Sequence, residues 1–235
     1  MKAIRKEWLF LSISVLLCQM EIILTDAGKR FNKEWIFKGL NYQFEDGKAY
    51  AVVGNNGSGK STLLQCVAGA TNLNQGECVW RQEGFSEKTN TGERIYQYFS
   101  FAAPYLDVVE EMTALEFLKF HHSFKPLLSG VSHLDLLKEV QLENAANKQI
   151  RHYSSGMKQR IKLAMAIFSE TPVLLLDEPC ANFDQAGFEL YKSLIERYTS
   201  NRLVIVCSND PEEYAFFCDN TIDIRAYKPI KKASI

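Results

Sequence analysis

The stretch Gly54-Asn-Asn-Gly-Ser-Gly-Lys-Ser-Thr62 decides the fold of this chain. It fits the pattern G-x-x-x-x-G-K-[ST], with the apolar run 49–53 before it and a helical pattern over residues 63–68 after it. In such a strand–loop–helix unit, glycines let successive backbone N–H groups point at phosphate oxygens, and the helix N-terminus adds a favourable dipole. The stretch therefore predicts a phosphate-binding P-loop.

Two side chains carry much of the chemistry of a P-loop. Lys60 supplies positive charge for the β- and γ-phosphates of a nucleotide, and the hydroxyl of Ser61 is the expected Mg²⁺ ligand. The motif thus predicts ATP and Mg²⁺ as bound groups. The candidate nucleotide-binding residues of the loop are Gly54, Asn55, Asn56, Gly57, Ser58, Gly59, Lys60, Ser61 and Thr62.

Two adjacent carboxylates end a second apolar run. Asp177 and Glu178 follow Val-Leu-Leu-Leu at residues 173–176, a pattern typical of a strand covered on both faces. Ligands of open α/β sheets lie at the carboxyl ends of the strands, where both side chains are expected. We expect Asp177 to hold Mg²⁺ through water and Glu178 to be the general base toward the attacking water. Glu178 and Lys60 are the candidate catalytic residues.

A third motif, Tyr153-Ser-Ser-Gly-Met157, opens an amphipathic helical pattern just before the acidic pair. With the P-loop and the Asp-Glu pair in this order, the sequence resembles the ATP-binding cassette (ABC) family, whose signature is usually Leu-Ser-Gly-Gly-Gln. Ser154 and Gly156 match that signature, and the other three positions differ. Taken by itself, the motif is equally typical of a helix capped by serine.

The resemblance covers about residues 20–225 and implies ATP hydrolysis by a pair of cassettes. It implies that Ser154, Ser155 and Gly156 face the γ-phosphate of ATP bound to the other subunit, because their helix N-terminus is a second anion site. The pair is then head-to-tail, either a homodimer or a mixed dimer, with two ATP molecules between its members. Asn182 and Asp184 fall at the family's dimer-contacting D-loop.

An aromatic side chain ahead of the P-loop is expected to stack on adenine. The resemblance assigns this role to Phe31. An ordinary packed aromatic is an equally good interpretation of Phe31, and Trp35 is a competitor for the role.

Two positions depart from the family pattern. A glutamine usually ends the strand that enters the helical subdomain, and our alignment places Ala103 there. A histidine usually follows the next strand, and Asn209 stands at this switch position. An asparagine amide donates hydrogen bonds but carries no positive charge, so we expect hydrolysis slowed by about tenfold or more.

The pattern of apolar runs predicts an α/β fold. The expected architecture is a P-loop NTPase core with a mostly parallel sheet, an antiparallel β portion and an inserted α-helical subdomain over about residues 105–170. Helices are expected after a capping box at Thr113–Glu116, near residues 133–140 and from Ser154. The expected strands are residues 22–24, 49–53, 77–80, 96–101, 173–176, 203–207 and 221–224.

The two ends of the chain differ in sequence pattern from the domain expected at residues 20–228. Residues 1–19 carry Lys2, Arg5 and Lys6 before a short apolar run, which is too short to span a bilayer. We interpret them as an upstream extension that reflects a misassigned start, with a short membrane-touching helix as the alternative. Residues 229–235 form a polar tail.

Composition and motifs together leave three functions open. The net charge of −1 gives no electrostatic footprint for nucleic acid, so no nucleic-acid partner is expected. The leading hypothesis is an ATP-hydrolysing subunit of an ABC transporter, cytoplasmic and peripheral on the inner face of the membrane. Separate transmembrane subunits would carry the substrate, with a mild preference for export. The alternatives are a soluble ABC ATPase and a regulatory cassette with little hydrolysis.

Overall fold

The computed structural model describes residues 19–89, 92 and 94–229. Of the predicted N-terminal extension, only Gln19 lies within the described residues. Of the predicted polar tail, only Pro229 does. In chain order the strands are β1 (Glu21–Phe31), β2 (Glu34–Phe44), β3 (Ala49–Val53), β4 (Gln75–Gln82), β5 (Phe85–Lys88), β6 (Phe99–Ala102), β7 (Val173–Asp177), β8 (Leu203–Ser208) and β9 (Asn220–Asp223). The helices are α1 (Lys60–Val67), α2 (Ala114–His122), α3 (His133–Glu139), α4 (Ser155–Ile167) and α5 (Gln185–Tyr198).

Five of the strands form a parallel sheet in the order β6-β7-β8-β3-β9. Successive residues of β7 face opposite sides of this sheet. Val173 and Leu175 pack into one core, with α1 and the second sheet, whereas Leu174 and Leu176 pack into the other, with α4 and α5. Every residue of β7 and β8 is buried, which explains their continuous apolar sequences.

The other four strands form an antiparallel sheet in the order β2-β1-β4-β5. This sheet packs over α1, and the indole N–H of Trp80 in β4 donates a 2.9 Å hydrogen bond to the carbonyl of Val67 at the end of α1. The predicted combination of a P-loop core, a parallel sheet and an antiparallel portion is confirmed.

The strand predictions were right in place and wrong in several details. Residues 95–97 form a 3₁₀ turn, so β6 begins only at Phe99. Ile224 begins another 3₁₀ turn, because the Asp223 carboxylate accepts from the backbone N–H of Arg225 and ends β9 there. The sequence pattern does not predict β2, β5 or α5. The alternation in β2 is irregular, with register shifts opposite β1 that hide its period of two.

The segment 105–170 is less helical than predicted. The capping box at Thr113 is present, since its hydroxyl accepts from Glu116 N–H and the Glu116 carboxylate accepts from Thr113 N–H. Ser132 and Asp135 form a second capping box at α3. Turns and short 3₁₀ segments fill the remainder, and α3 ends at Glu139. Along the stretches that the structure describes, the helices are all too short or too polar to cross a membrane.

Candidate active site

The P-loop joins β3 to α1, and its last residue before α1, Gly59, has a backbone conformation that favours glycine. Gly59 has φ of +110°, and a Cβ atom built on it would lie 2.4 Å from Cγ2 of Ile36. Any side chain at this position would therefore collide with β2 as well as strain the backbone. The close approach places the antiparallel sheet directly against the loop, which fixes one wall of the site.

Polar groups of the loop converge on its centre. Lys60 is 4% exposed, and its ammonium donates a 2.9 Å hydrogen bond to the carbonyl of Gly54. The hydroxyl of Ser58 is buried and has no hydrogen-bond partner among the described residues. A buried hydroxyl without a partner costs free energy, and a phosphate oxygen would satisfy it. The loop thus fits an anionic ligand.

Ser61 and Asp177 meet across the sheet edge. The Ser61 hydroxyl donates a 3.0 Å hydrogen bond to Oδ1 of Asp177, which is 1% exposed. Burial raises the pKa of Asp177 above its ordinary value, against the hydrogen bond from Ser61 that lowers it. Oδ2 of Asp177 is buried without a close donor among the described residues. The Ser61 hydroxyl oxygen and the Asp177 carboxylate oxygens, one of which has no hydrogen bond, are ligands of the kind that Mg²⁺ prefers.

Glu178 takes a strained backbone conformation just beyond β7. Its φ is +43°, in the left-handed region that residues with a Cβ rarely adopt. Its N–H donates to the carbonyl of Cys207 at 2.8 Å, so the sheet holds this geometry. The Glu178 side chain is half-buried and follows the fully buried Asp177 directly in sequence. Such strain is typical of catalytic positions.

The signature and D-loop residues lie together at a second location. Ser154 caps α4, accepting a 3.2 Å hydrogen bond from the N–H of Met157. Ser154, Ser155 and Gly156 line a cavity of about 460 Å³ with Asn182 and Asp184. None of the P-loop residues lines this cavity. The candidate signature residues at the start of α4 therefore lie apart from the P-loop.

The two D-loop residues differ in what their side chains can do. The carboxylate of Asp184 already caps α5, accepting a 2.8 Å hydrogen bond from the N–H of Gly187. Asn182 is exposed with a left-handed φ of +66°, and its carbonyl lies 3.5 Å from the position of a Cβ on Gly156. Asn182 is therefore the freer of the two to contact another molecule.

The two departing positions lie at the same sheet edge as the P-loop. Ala103 is fully buried and opens a turn closed by a 3.3 Å hydrogen bond from the N–H of Leu106. Asn209 follows β8 directly and is exposed. Asn209 is thus placed to reach a nucleotide, whereas Ala103 has no accessible surface with which to do so.

Sequence reasoning missed two polar residues near the acidic pair. Gln159 is 2% exposed, and its amide donates a 2.8 Å hydrogen bond to the carbonyl of Pro179, which ties the signature helix to the turn after Glu178. Against the larger effect of burial, which raises the pKa of the Asp177 carboxyl, Tyr105 lowers it. Neither belongs to a short motif, so no local pattern marked them.

The aromatic candidates for adenine stacking lie on the β1–β2 hairpin. Phe31 ends β1 with 51% of its surface exposed, and the Lys29 ammonium lies 4.9 Å from the centre of its ring. Trp35 is half-buried, with Arg30 and Lys38 against its ring at 5.6 and 5.0 Å. The open face of Phe31 is the better platform for a base.

Comparisons with known proteins find the family that the motifs resemble. A family model described as ABC transporter matches residues 37–181. The chain is 29% identical over 203 residues to the uncharacterized ABC transporter ATP-binding protein YybJ of Bacillus subtilis, covering 83% of this chain and 88% of that one. It is 29% identical over 209 residues to the cytochrome c biogenesis ATP-binding export protein CcmA of Saccharophagus degradans, covering 83% and 89%.

A solved structure shares the fold. It is the dimeric post-hydrolysis state of the ATP-binding cassette MJ0796 bound to ADP and Pi, with a TM-score of 0.73 and 22% identity, covering 87% of this chain and 95% of that chain.

Proposed function

Because the chain belongs to the ABC transporter family, we propose that the P-loop and acidic pair are its ATP-hydrolysing half-site and that Ser154–Gly156 complete the site of a partner. Membership makes the chain an ATP-binding, ATP-hydrolysing subunit that works with transmembrane subunits and pairs with a second cassette. The observation that carries the assignment of residues is the 3.0 Å contact between Ser61 and Asp177. This contact connects α1, the helix after the P-loop, to the end of β7, where the acidic pair begins.

The nucleotide is bound by the loop and the hairpin above it. Backbone N–H groups of residues 54–62, the Ser58 hydroxyl and the Lys60 ammonium receive the phosphates. Phe31 stacks on the adenine, since it is the exposed aromatic of the adjoining hairpin. The Lys60 ammonium, which donates to the Gly54 carbonyl at the start of the loop, would donate to phosphate oxygens of a bound nucleotide.

Ser61 and Asp177 are the residues that would hold Mg²⁺. The donor set is supported by the unmet Oδ2 atom of Asp177 and by the hydroxyl of Ser61 beside Oδ1. When bound, the ion neutralises charge on the β- and γ-phosphate oxygens.

Glu178 acts as general base. Its carboxylate accepts the proton of the water that attacks the γ-phosphorus, from a position directly after β7. General-base catalysis of this kind contributes about 10²- to 10⁴-fold in rate. Asn209 donates its amide to the γ-phosphate in place of a charged histidine, so the transition state is less stabilised.

The second cassette supplies what the first lacks. Ser154 and Ser155 are exposed at the start of α4, and the N-terminus of that helix attracts an anion. The separation of this cavity from the P-loop favours a head-to-tail pair, in which each nucleotide meets one P-loop and one signature. A mixed pair is compatible with the weakened Asn209 position.

The cassette is placed at the cytoplasmic face of the membrane, bound to its transmembrane subunits. Contact with the membrane through these subunits is part of the proposal, because relatives of this chain are described as transporter ATP-binding proteins. Export is the proposed direction, since one similar protein is described as an ATP-binding export protein. The domain bounds 20–228, with the helical insertion over 105–170, form part of the same proposal.

The direct test is turnover of Mg-ATP by the purified chain, with the Glu178→Gln variant as the reference. We expect the wild type to release phosphate about 10²-fold faster or more, because the variant retains the shape of the side chain and loses the base. Equal rates, with ATP binding retained in both, would defeat the catalytic assignment and favour a binding-only cassette. Co-purification with a transmembrane protein from the native host tests the transport role.

A further inference from the structure

The hydroxyl of Tyr191 connects α5 to the turn that follows β8. Tyr191 is fully buried, and its hydroxyl donates a 2.9 Å hydrogen bond to the main-chain carbonyl of Glu213. The two residues are 22 positions apart in sequence, so this bond is a contact between separate elements of the fold. A phenol is neutral at physiological pH and has one hydrogen to donate. Tyr191 therefore spends its only donor on the backbone of this turn.

The turn that Tyr191 holds begins directly after the switch position, Asn209. The N–H of Asp210 donates to the Ser208 hydroxyl at 2.9 Å, and the Asp210 carboxylate accepts from the N–H of Glu212 at 3.0 Å. The N–H of Glu213 donates to the carbonyl of Asp210 at 3.1 Å and closes the turn. Asn209 therefore stands between the last residue of β8 and a turn that α5 holds in place.

The backbone of the turn decides where the Asn209 side chain lies. On its β8 side, Ser208 pairs with Val53, the last residue of β3 before the P-loop. The Asn209 side chain is exposed, so its direction follows from the backbone that carries it. An amide must come within about 3.2 Å of a phosphate oxygen to donate to it, and a displacement of about 1 Å at a reacting centre costs about 10²-fold in rate.

The helix that carries Tyr191 is itself firmly held. Its first turn is capped by Asp184, and a Cβ atom built on Gly187 would lie 2.8 Å from Cγ of Phe183 in the turn before the helix. Farther along, the Tyr191 ring lies 6.0 Å from the ring of Phe216, edge to face. The hydroxyl of Tyr191 is therefore a fixed point from which the turn after β8 is supported.

We propose that Tyr191 is a positioning residue for ATP hydrolysis, which holds the turn after β8 through the carbonyl of Glu213 and thereby sets the place of Asn209 at the γ-phosphate. The inference rests on the proposed role of Asn209. Tyr191 does not touch the nucleotide, because it is fully buried, and its effect on the rate passes through the backbone of the turn.

The test is a double-mutant cycle between Tyr191→Phe and Asn209→Ala. Tyr191→Phe removes one oxygen and keeps the ring that packs against Phe216. The matched control is Thr199→Val, because the buried Thr199 hydroxyl donates to the carbonyl of Ile195 at 2.7 Å, at the end of α5 away from the switch position. Steady-state phosphate release gives kcat and KM for each variant, with and without Asn209→Ala, and urea denaturation verifies that each is folded.

We expect Asn209→Ala to lower kcat about tenfold, as for the loss of one contact to the transition state. Tyr191→Phe should lower kcat about fivefold at unchanged KM in the wild-type background, as for a displaced contact, and should have no effect in the Asn209→Ala background. Thr199→Val should match the wild type in both constants.

The outcomes separate the inference from the proposed function. An unchanged kcat in Tyr191→Phe, an equal loss in both backgrounds, or an equal loss in Thr199→Val would overturn the inference while leaving the role of Asn209 intact. An unchanged kcat in Asn209→Ala would contradict the proposed role of Asn209 and this inference together.

A second variant tests the same turn from the protein surface if Tyr191→Phe does not fold. Asp210→Ala removes the cap of the turn at an exposed side chain, so the core is untouched. It should lower kcat in the wild-type background and lose that effect in the Asn209→Ala background, where any consequence of the lost charge alone would persist. A turn that loses its cap without a change in kcat would also overturn the inference.

Discussion

The hydroxyl oxygen of Ser61 lies 3.0 Å from Oδ1 of Asp177, although 116 residues separate them in sequence. The contact exists because β3 and β7 are the two neighbours of β8 in the parallel sheet. Ser61 stands in the first turn of α1, which follows β3 and the P-loop, and Asp177 ends β7, so the two side chains approach each other at the carboxyl edge of the sheet. The residue that follows β8 at this edge, Asn209, is therefore close to both halves of the site.

The position of Asn209 predicts a gain of activity on substitution. Asn209→His introduces a side chain that can carry positive charge near the γ-phosphate, and we expect kcat to rise about tenfold with little change in KM for ATP. Steady-state phosphate release measures both constants. Asn201→His is the control, since Asn201 is exposed and precedes β8 at the opposite end of the same strand. An unchanged or reduced kcat in Asn209→His would show that this position does not limit the rate.

The separation of P-loop and signature predicts complementation between inactive copies. Lys60→Ala damages the P-loop and Ser154→Ala damages the signature, and each should lower hydrolysis by about 10²-fold when alone. If two copies pair head-to-tail, a mixture forms dimers with one intact composite site, and activity should return well above that of either variant.

Ser132→Ala is the matched control for loss of a helix cap. It removes the same kind of cap from α3 as Ser154→Ala removes from α4, at a cost of about 1 kcal/mol in stability. Its hydrolysis should equal that of the wild type. A mixture no more active than the sum of its components would show that copies of this chain do not complete each other's sites.

Titration of Glu213 should make the free energy of unfolding depend on pH. It is 8% exposed in the 3₁₀ turn after β8, and burial raises its pKa to about 7, against hydrogen bonds from Ser208 and the Cys180 N–H that lower it. The folded state therefore binds a proton that the unfolded state releases near its ordinary pKa. Protonated Glu213 therefore contributes to the free energy of unfolding. This contribution is complete below about pH 4.5 and is lost as pH rises through about 7.

The measurement is the free energy of unfolding in urea for wild type and Glu213→Gln from about pH 5 to about pH 8. The wild type should lose stability relative to the variant as pH rises. Glu212→Gln, at the exposed neighbour of Glu213, should leave the pH dependence of the wild type unchanged. Parallel curves for wild type and Glu213→Gln would rule out this titration.

Truncation of Arg202 should greatly reduce the free energy of unfolding. Its guanidinium is buried and bonds the carbonyl of Ile167 and the hydroxyls of Ser100 and Thr171 at 2.6 to 2.9 Å. Burial lowers its pKa to about 10, so it is charged at neutral pH. Arg202→Met should cost about 3 kcal/mol in unfolding free energy, because it leaves buried acceptors without a donor.

The exposed Arg225 provides the comparison for Arg202. Arg225 pairs with Asp223 at the surface, and Arg225→Met should change the unfolding free energy by less than about 1 kcal/mol. Urea denaturation of both variants is the measurement. Equal stabilities would mean that Arg202 contributes no more than a surface ion pair.

Motifs made of consecutive residues were predicted from the sequence because their chemistry is local. The strands that flank the P-loop and end at Asp177 also stood out, since both faces of β7 and β8 are buried and their sequences are continuously apolar. The strand β2 was missed because its exposed edge residues and register shifts leave no regular alternation. The helix content of residues 105–170 was overestimated, since several apolar side chains there pack from turns.

The sequence by itself determined the class of fold, the family and the identity of the P-loop, acidic-pair and signature residues, because each is encoded within a few neighbouring positions. Only the tertiary structure decided what these residues touch. Strand order brought Ser61 to Asp177, and α4 brought Gly156 to Asn182. Such contacts depend on which strands are neighbours and how closely backbones approach, and these follow from packing of the whole core.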